Sequence, residues 1–372
     1  MILNDNILKT EERIMYSLRS LYHQSGYTPF KMSRFEEYDM YVRNRNYMGK
    51  GDIVTFTDLN GKLLALKPDV TLSIIKNYKP LTDNVSKVYY NENVYRPDKG
   101  TNEIKEIMQS GIECMGDIGC VEECEVISLA IKSLETISSD YILDISSVGI
   151  VNGLLNAADV DDDVKKSIIK MLVAKNSSGL RSVCEDNSIG SAICQVMVSL
   201  CDISGKAQEA IGRVEKLCIN REMMDACSAL ENLITQLKEC GLADNLYLDF
   251  SIISDTDYYN GVVFRGYVDK LPKSVLSGGR YDNLLKGMGK SGGAIGFAVY
   301  SDMLERIDEN EKEYDCDVLL IYDNDASYSD IKKAASVFKE DNLTVNIQKA
   351  ASQSVRAKRI CRIAKGGEII DG

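Results

Sequence analysis

Val54-Thr55-Phe56-Thr57-Asp58-Leu59-Asn60-Gly61-Lys62-Leu63-Leu64-Ala65-Leu66-Lys67-Pro68-Asp69-Val70-Thr71 sets two short β-rich runs on either side of a polar turn. Asn60-Gly61 supplies the positive φ that a tight reversal demands, so residues 55–66 are predicted to form a hairpin. Pro68 suits a first helical turn and Asp69 puts negative charge at its start, so a helix is expected to follow through 72–78. A hairpin that passes directly into a helix points to an α+β arrangement.

Upstream, Ile7, Leu8, Ile14, Met15, Leu18, Leu21 and Tyr22 recur at helical spacing, and Gly26 ends that helix before an extended stretch at 27–32. Downstream, strands are expected at 87–95 and 107–115 around a polar loop at 97–103, then a helix at 121–137 and a strand at 141–145. Residues from about 152 to 241 change character, becoming helical, rich in charge and nearly free of aromatics. Within them Asp159, Asp161, Asp162 and Asp163 precede Lys165, Lys166, Lys170 and Lys175, and Ser177-Ser178-Gly179 is expected to stop the helix. That order matches the helix macrodipole, so the acidic run is taken as a helix start and not as a metal site. The β pattern returns at 247–253, 260–268 and the glycine-rich 277–296. A core over 1–310 with a helical insertion at about 152–241 is the simplest organisation. Residues 315–372 then form a small α/β unit, with a strand at 317–322, a helix at 328–339 and a strand at 343–347. Its last stretch carries Lys349, Arg356, Lys358, Arg359, Arg362 and Lys365 without an acid; a solvated helix face is expected there ahead of a nucleic-acid patch.

The 372 residues are 44% apolar, enough for packed cores, and 44 Lys and Arg against 56 Asp and Glu give a net charge of -12. That charge works against the phosphate attraction on which most nucleic-acid binders depend. No membrane span or secretory leader is visible, and a cytoplasmic setting is expected. Eleven Cys lack paired ligand spacing, and the one histidine, His23, lies far from them on the first helix. Free, mostly buried thiols and no metal or other cofactor are therefore expected, and chemistry built on a histidine base loses weight. Gly289-Lys290-Ser291 lacks the glycine that a phosphate loop requires at 284, where Leu stands.

Five segments resemble, in order, the catalytic core of the histidyl-tRNA synthetases and its non-catalytic relatives, the regulatory subunits of short-form ATP phosphoribosyltransferase. They are the quoted stretch from Phe56 to Thr71; Tyr95-Arg96 with Gln109-Ser110-Gly111-Ile112-Glu113; Asp257-Tyr258-Tyr259-Asn260-Gly261-Val262-Val263-Phe264; Ser277-Gly278-Gly279-Arg280-Tyr281-Asp282; and Gly296-Phe297-Ala298. The resemblance spans roughly 8–307. It implies a class II synthetase-like antiparallel sheet with flanking helices. It also implies a pocket for free histidine built from Asp69, Thr71, Arg96, Gln109, Glu113, Tyr258 and Tyr259. Asp69, Thr71 and Gln109 would hold the α-amino end, and Glu113 and Tyr258 the ring, with Tyr259 nearby. A zwitterionic amino acid with an imidazole ring needs such a mixture of acid, donors and aromatic wall. Read without the resemblance, Asp69 could simply favour a helix start, Gln109 and Glu113 share one strand face, and the tyrosines could be sheet packing.

The departures bear on activity. Carboxylate activation needs fixed positive charge around ATP. Ser254 stands where the synthetases carry an arginine before Asp-Tyr-Tyr, and Met303 stands at the arginine position of motif 3, with Arg306 displaced. The motif 2 loop is short and leaves Arg96 and Lys99 in open register, and Ser33 replaces a usual proline in motif 1. Acidic and basic side chains balance in 315–372, which is small for a tRNA-binding domain. The resemblance therefore implies a non-catalytic regulatory subunit that assembles with a short catalytic subunit in the first step of histidine biosynthesis and carries histidine feedback. It also implies a homodimer through the segment 27–36. A divergent synthetase using Arg96 and Lys99, or a histidine sensor acting on RNA, are the competing expectations.

Overall fold

Ile14, Met15, Leu18 and Tyr22 fall on one stripe of α1 (Thr10–Gln24), and burying that stripe against a large sheet fixes the start of the chain. The computed structural model describes residues 8–45, 53–80, 84–98, 101, 103–253, 256, 258–304, 314–349, 355–364 and 368–371. The chain divides into two compact units, Met1–Ile307 and Asp308–Gly372.

After β1 (Thr28–Pro29) come β2 (Phe35–Glu37), α2 (Tyr38–Arg43), β3 (Thr55–Thr57) and β4 (Leu63–Leu66). Strands β3 and β4 pair antiparallel across the turn in which Gly61 takes φ +81, and β2 adds to β4 to give a three-stranded sheet. Helix α3 (Thr71–Asn77) follows, with the Asp69 carboxylate accepting from the Leu72 amide at 2.9 Å. The long hairpin of β5 (Val85–Pro97) and β6 (Ile104–Gly116) is the spine of the main sheet, and its strands run further at both ends than apolar spacing suggests. Helix α4 (Cys120–Ile137) and β7 (Tyr141–Ser147) complete this half.

The insertion comprises α5 (Val148–Ala158), α6 (Asp162–Val173), α7 (Ser177–Asp186), α8 (Ser191–Cys201), β8 (Ser204–Lys206), α9 (Ala207–Glu215) and α10 (Arg221–Glu239). The acidic run does start a helix: Asp161 caps α6 by accepting from the amides of Asp163 and Val164. Two expectations change here. Ser177-Ser178-Gly179 begins α7 and does not end α6, because Lys175 at φ +49 breaks the chain direction and the Asn176 side chain caps the next helix by accepting from Gly179. The insertion is also not wholly helical, since β8 joins the main sheet.

Beyond it lie β9 (Leu246–Asp249), β10 (Val262–Val268), β11 (Leu276–Arg280), α11 (Asp282–Gly287), β12 (Gly293–Tyr300) and α12 (Ser301–Leu304). Strand β9 is shorter than the 247–253 expected, because the Asp249 side chain accepts from the Ser251 amide and turns the chain into one 3₁₀ turn at Phe250–Ile252. The nine-stranded sheet has the order β1-β5-β6-β12-β11-β10-β7-β9-β8. It is antiparallel across its centre, as a class II synthetase-like fold requires, but β1 with β5 and β7 with β9 run parallel, which makes the whole sheet mixed. One face is packed by α1, α4 and the insertion. The other carries Tyr90, Val94, Met115 and Ala294 beneath α3, α11 and the small sheet.

The second unit is a separate α/β element. Strand β13 (Cys316–Tyr322), α13 (Tyr328–Glu340) and β14 (Val345–Gln348) make the expected β-α-β unit, flanked by β15 (Ala357–Ile363) and β16 (Ile369–Asp371). Within the basic stretch, Ala357–Ile363 is thus a strand and not a helix face. Cys361 and Ile363 are buried at spacing two while Arg356 and Lys358 pair with Asp315 and Asp317. Among the described residues no helix is long and apolar enough to cross a membrane. All eleven cysteines are free.

Candidate functional site

Strand alternation puts Gln109, Gly111 and Glu113 of β6 on the face that carries α3, beside Val88, Tyr90 and Glu92 of β5. On the other side β12 brings Gly296 opposite Glu113 and Ala298 opposite Gly111, and β11 brings Gly279 opposite Gly296. The middle of this face is therefore a floor of very small residues, and polar heads occupy the space they leave. A Cβ at Gly296 would fall inside the Glu113 carboxylate; one at Gly111 would lie 2.6 Å from the Tyr90 hydroxyl, and one at Gly279 2.8 Å from the Tyr259 ring.

Glu113 is the centre of the site and is 2% exposed. Its Oε1 accepts from Thr71 Oγ1 at 2.8 Å, and its Oε2 accepts from the Tyr281 hydroxyl. Burial pushes the Glu113 carboxyl up to about 8; the two hydroxyl donors oppose that rise, and the Asp69 carboxylate adds to it. Burial likewise raises the phenols of Tyr90, Tyr258 and Tyr281 well above their ordinary range, with Glu113 contributing to each. Around neutral pH burial thus favours the protonated carboxyl over the carboxylate, among phenols that stay neutral.

The aromatic wall comes from the segment before β10. Tyr258 and Tyr259 meet edge to face with centroids 4.6 Å apart, and Tyr258 lies 5.6 Å from Tyr281. Thr71 is also a hydrogen-bond partner of the Tyr258 hydroxyl. The segment is tied down from below: the Asn260 amide donates to the Arg280 carbonyl at 3.0 Å, and the Asn260 side chain exchanges hydrogen bonds with Asp282. Arg280 holds Asp282 through Nε at 2.9 Å and Glu123 of α4 through a second nitrogen at 2.9 Å.

Of the residues singled out in the sequence, Asp69, Thr71, Glu113, Tyr258 and Tyr259 are brought together. Asp69 spends one oxygen on the start of α3, as its simpler reading requires, and its charge still bears on Glu113, Tyr90 and Tyr258. Gln109 is buried on the same face, one pleat beyond Gly111. Arg96 stands apart: it is exposed towards the end of β5, where its Nε donates to the Pro68 carbonyl at 2.8 Å. It thereby clamps the loop that presents Asp69, and fully buried Lys67 does the same by pairing with Glu92 at 2.8 Å. Lys99, Ser254 and Asp257 lie outside the described residues; Met303 falls on α12, with its side chain outside them.

Tyr281 and Tyr90 had no role in the sequence reading. The signal was the recurrence of small residues at spacing two, Gly111 before Glu113, Gly296 with Ala298, and Gly279 with Tyr281, which leaves room on one face of three strands for bulky polar side chains. Among the described residues no group of three His, Cys, Asp or Glu side chains converges as metal ligands.

Comparison with known proteins bears on the family and the fold. The family model described as histidyl-tRNA synthetase matches residues 3–304. A protein of Clostridium acetobutylicum named ATP phosphoribosyltransferase regulatory subunit is 29% identical over 327 residues, 85% of this chain and 79% of that protein. A protein of Clostridium kluyveri with the same name is 27% identical over 91% of this chain and 89% of its own length. Among solved structures, an ATP phosphoribosyltransferase regulatory subunit/histidyl-tRNA synthetase from Bacillus halodurans superposes with a TM-score of 0.78 at 24% identity, covering 95% of this chain and 93% of that one. A chain of the ATP phosphoribosyl transferase (HisG:HisZ) complex from Thermotoga maritima does so at 0.61 and 17% identity, covering 78% and 97%. At these identities the two structures support the fold.

Proposed function

Because the chain belongs to the histidyl-tRNA synthetase family, we propose that it is a non-catalytic member that binds free histidine and regulates an ATP phosphoribosyltransferase as the partner of a short catalytic subunit. The observation that carries this reading is the intact Glu113 cluster, set beside the absence of arginine at 254 and 303. An amino-acid pocket is kept while the charge needed to activate a carboxylate with ATP is missing. The names borne by the two clostridial relatives, and the complex to which the Thermotoga chain belongs, support the assignment of partner.

In this reading the imidazole of histidine meets Glu113, with Thr71 and Tyr281 holding the carboxyl in place and Tyr258 forming a wall. Asp69 offers its remaining acceptor capacity to the α-ammonium group, and Gln109 lies on the same face of the sheet. Histidine that favours one assembly state over another transmits feedback to the partner, and couplings of this kind are typically about 1–3 kcal/mol.

The test is calorimetric titration of histidine into the chain, alone and with its catalytic subunit, for wild type, Asp69→Asn and Glu113→Ala. The asparagine keeps the cap on α3 and removes only the charge. Each variant is expected to weaken binding by about 1–3 kcal/mol through an unmatched polar group. The wild-type chain is expected to show no histidine-dependent ATP–pyrophosphate exchange, since each missing donor at a developing phosphoryl charge costs about 2.7–4 kcal/mol. Histidine failing to bind in either state, or robust exchange by the purified chain, would overturn the proposal.

A further inference from the structure

Cys120 and Cys124 lie one turn apart at the start of α4, with their sulfurs 3.9 Å from each other. Other thiols are neighbours too, Cys184 with Cys194 and Cys218 with Cys227, but in each of those pairs one partner is buried. In the pair on α4 neither is. The Asn232 side chain donates from Nδ2 to the Cys120 sulfur at 3.2 Å, a contact that suits a sulfur acting as acceptor. The acids on either side are occupied: Glu122 accepts from the Gly119 amide at 2.9 Å, and Glu123 is paired with Arg280.

We infer that Cys120 and Cys124 form a peroxide-responsive dithiol whose oxidation reshapes the first turn of α4 and loosens the Tyr258–Tyr259 wall. The inference stands on the thiol geometry and is independent of which ligand the wall serves. In the first step the Cys120 thiol attacks hydrogen peroxide: the O–O bond breaks, sulfur gains a hydroxyl as a sulfenic acid, and water leaves. In the second the Cys124 thiol displaces that hydroxyl, forming the S–S bond, while its proton departs with the hydroxyl as a second water. Two thiols are oxidised and one peroxide is reduced. Of the two, Cys120 is the one whose sulfur accepts from the Asn232 side chain, a donor that favours negative charge on sulfur, so it is the thiol that reacts first.

The structural consequence follows from geometry. A disulfide needs sulfurs about 2.05 Å apart and β-carbons about 3.5–4.5 Å apart, closer than the roughly 5–6 Å between neighbours one turn apart on a helix. The turn must therefore tighten or unwind, and a first turn, with unpaired amides, is where a helix yields most easily. Glu123 sits inside that turn. Moving it disturbs its contact with Arg280, hence Asp282 and Asn260, which hold the segment carrying Tyr258 and Tyr259.

The experiment treats the full chain with graded hydrogen peroxide, blocks remaining thiols with an alkylating agent and maps them by mass spectrometry, with hydrogen exchange read over 258–262. Cys120 and Cys124 are expected to be lost together, with a mass decrease of two hydrogens that dithiothreitol reverses, and exchange at 258–262 to quicken by roughly tenfold. Cys120→Ser and Cys124→Ser should each abolish both effects, and Cys240→Ser neither. The wild-type measurement alone suffices if a variant fails to fold. The inference is overturned if both thiols remain alkylatable once exposed Cys240 has reacted, if either sulfur is found joined to Cys240 instead, or if exchange at 258–262 is unchanged in the disulfide form.

Discussion

A carboxyl group that prefers its proton inside the folded chain works against folding as the pH rises. Burial pushes the Glu113 carboxyl up to about 8 in the folded chain, from 4.5 for the free side chain, so between those values the native state binds more protons than the unfolded state. Stability must then fall with pH across that window, by up to about 1.4 kcal/mol per pH unit for one group. Below pH 4.5 both states are protonated and the effect vanishes. Glu113→Gln keeps the size and removes the titration. Urea unfolding of the pair at pH 5.5 and pH 8.5 should therefore show wild type losing more stability than the variant as pH increases; parallel losses would mean that Glu113 is ionised in the native state. A positive charge placed beside Glu113 would favour the ionised carboxylate and reverse the balance.

At the scale of elements, the Glu113 cluster has room because three strands forgo side chains where they cross beneath it. Gly296→Ala places a methyl group in the volume of the Glu113 carboxylate with carbonyl and sheet on every other side, so either the acid or the strand must shift. The expected outcome is a loss of about 1–3 kcal/mol in stability, read by thermal unfolding, together with loss of ligand binding. Gly61→Ala, with open space around it, should be strained only by its positive φ and leave binding unaltered. Much of this scaffold was legible beforehand. The Asn-Gly hairpin, α3 after Pro68 and the strand faces of Gln109 and Glu113 follow from local periodicity and turn chemistry, which act over a few residues. Tyr281 was not legible as a partner of Glu113, because that contact depends on β11, β12 and β6 lying side by side. The insertion's strand β8 escaped notice because three residues, Ser204-Gly205-Lys206, are too few to show alternation. Asp249 ended β9 through its own side chain, a local hydrogen bond that apolar spacing does not report.

At the scale of the whole molecule, the segment 27–36 and the small sheet leave apolar side chains in the open, with Phe35 and Phe56 stacked edge to face at 5.5 Å and Leu59 and Leu63 beside them in the chain. A symmetric homodimer that uses this region is the expected assembly, since two-fold pairing is the common closed solution. Sedimentation at micromolar concentration should give twice the chain mass, and Phe35→Asp with Phe56→Asp should return it to the monomer; a wild-type monomer with and without the catalytic subunit would rule the dimer out. The rims of the main sheet have a different bearing. One is the two-residue β1, which includes Pro29, and the other is the three-residue β8, which ends in Lys206. A brief strand lacking an amide at one rim and a brief charged strand at the other give a second chain almost nothing to copy. Nine strands in one layer would otherwise invite ribbon-like stacking, so these five rim residues guard the sheet against edge-to-edge growth.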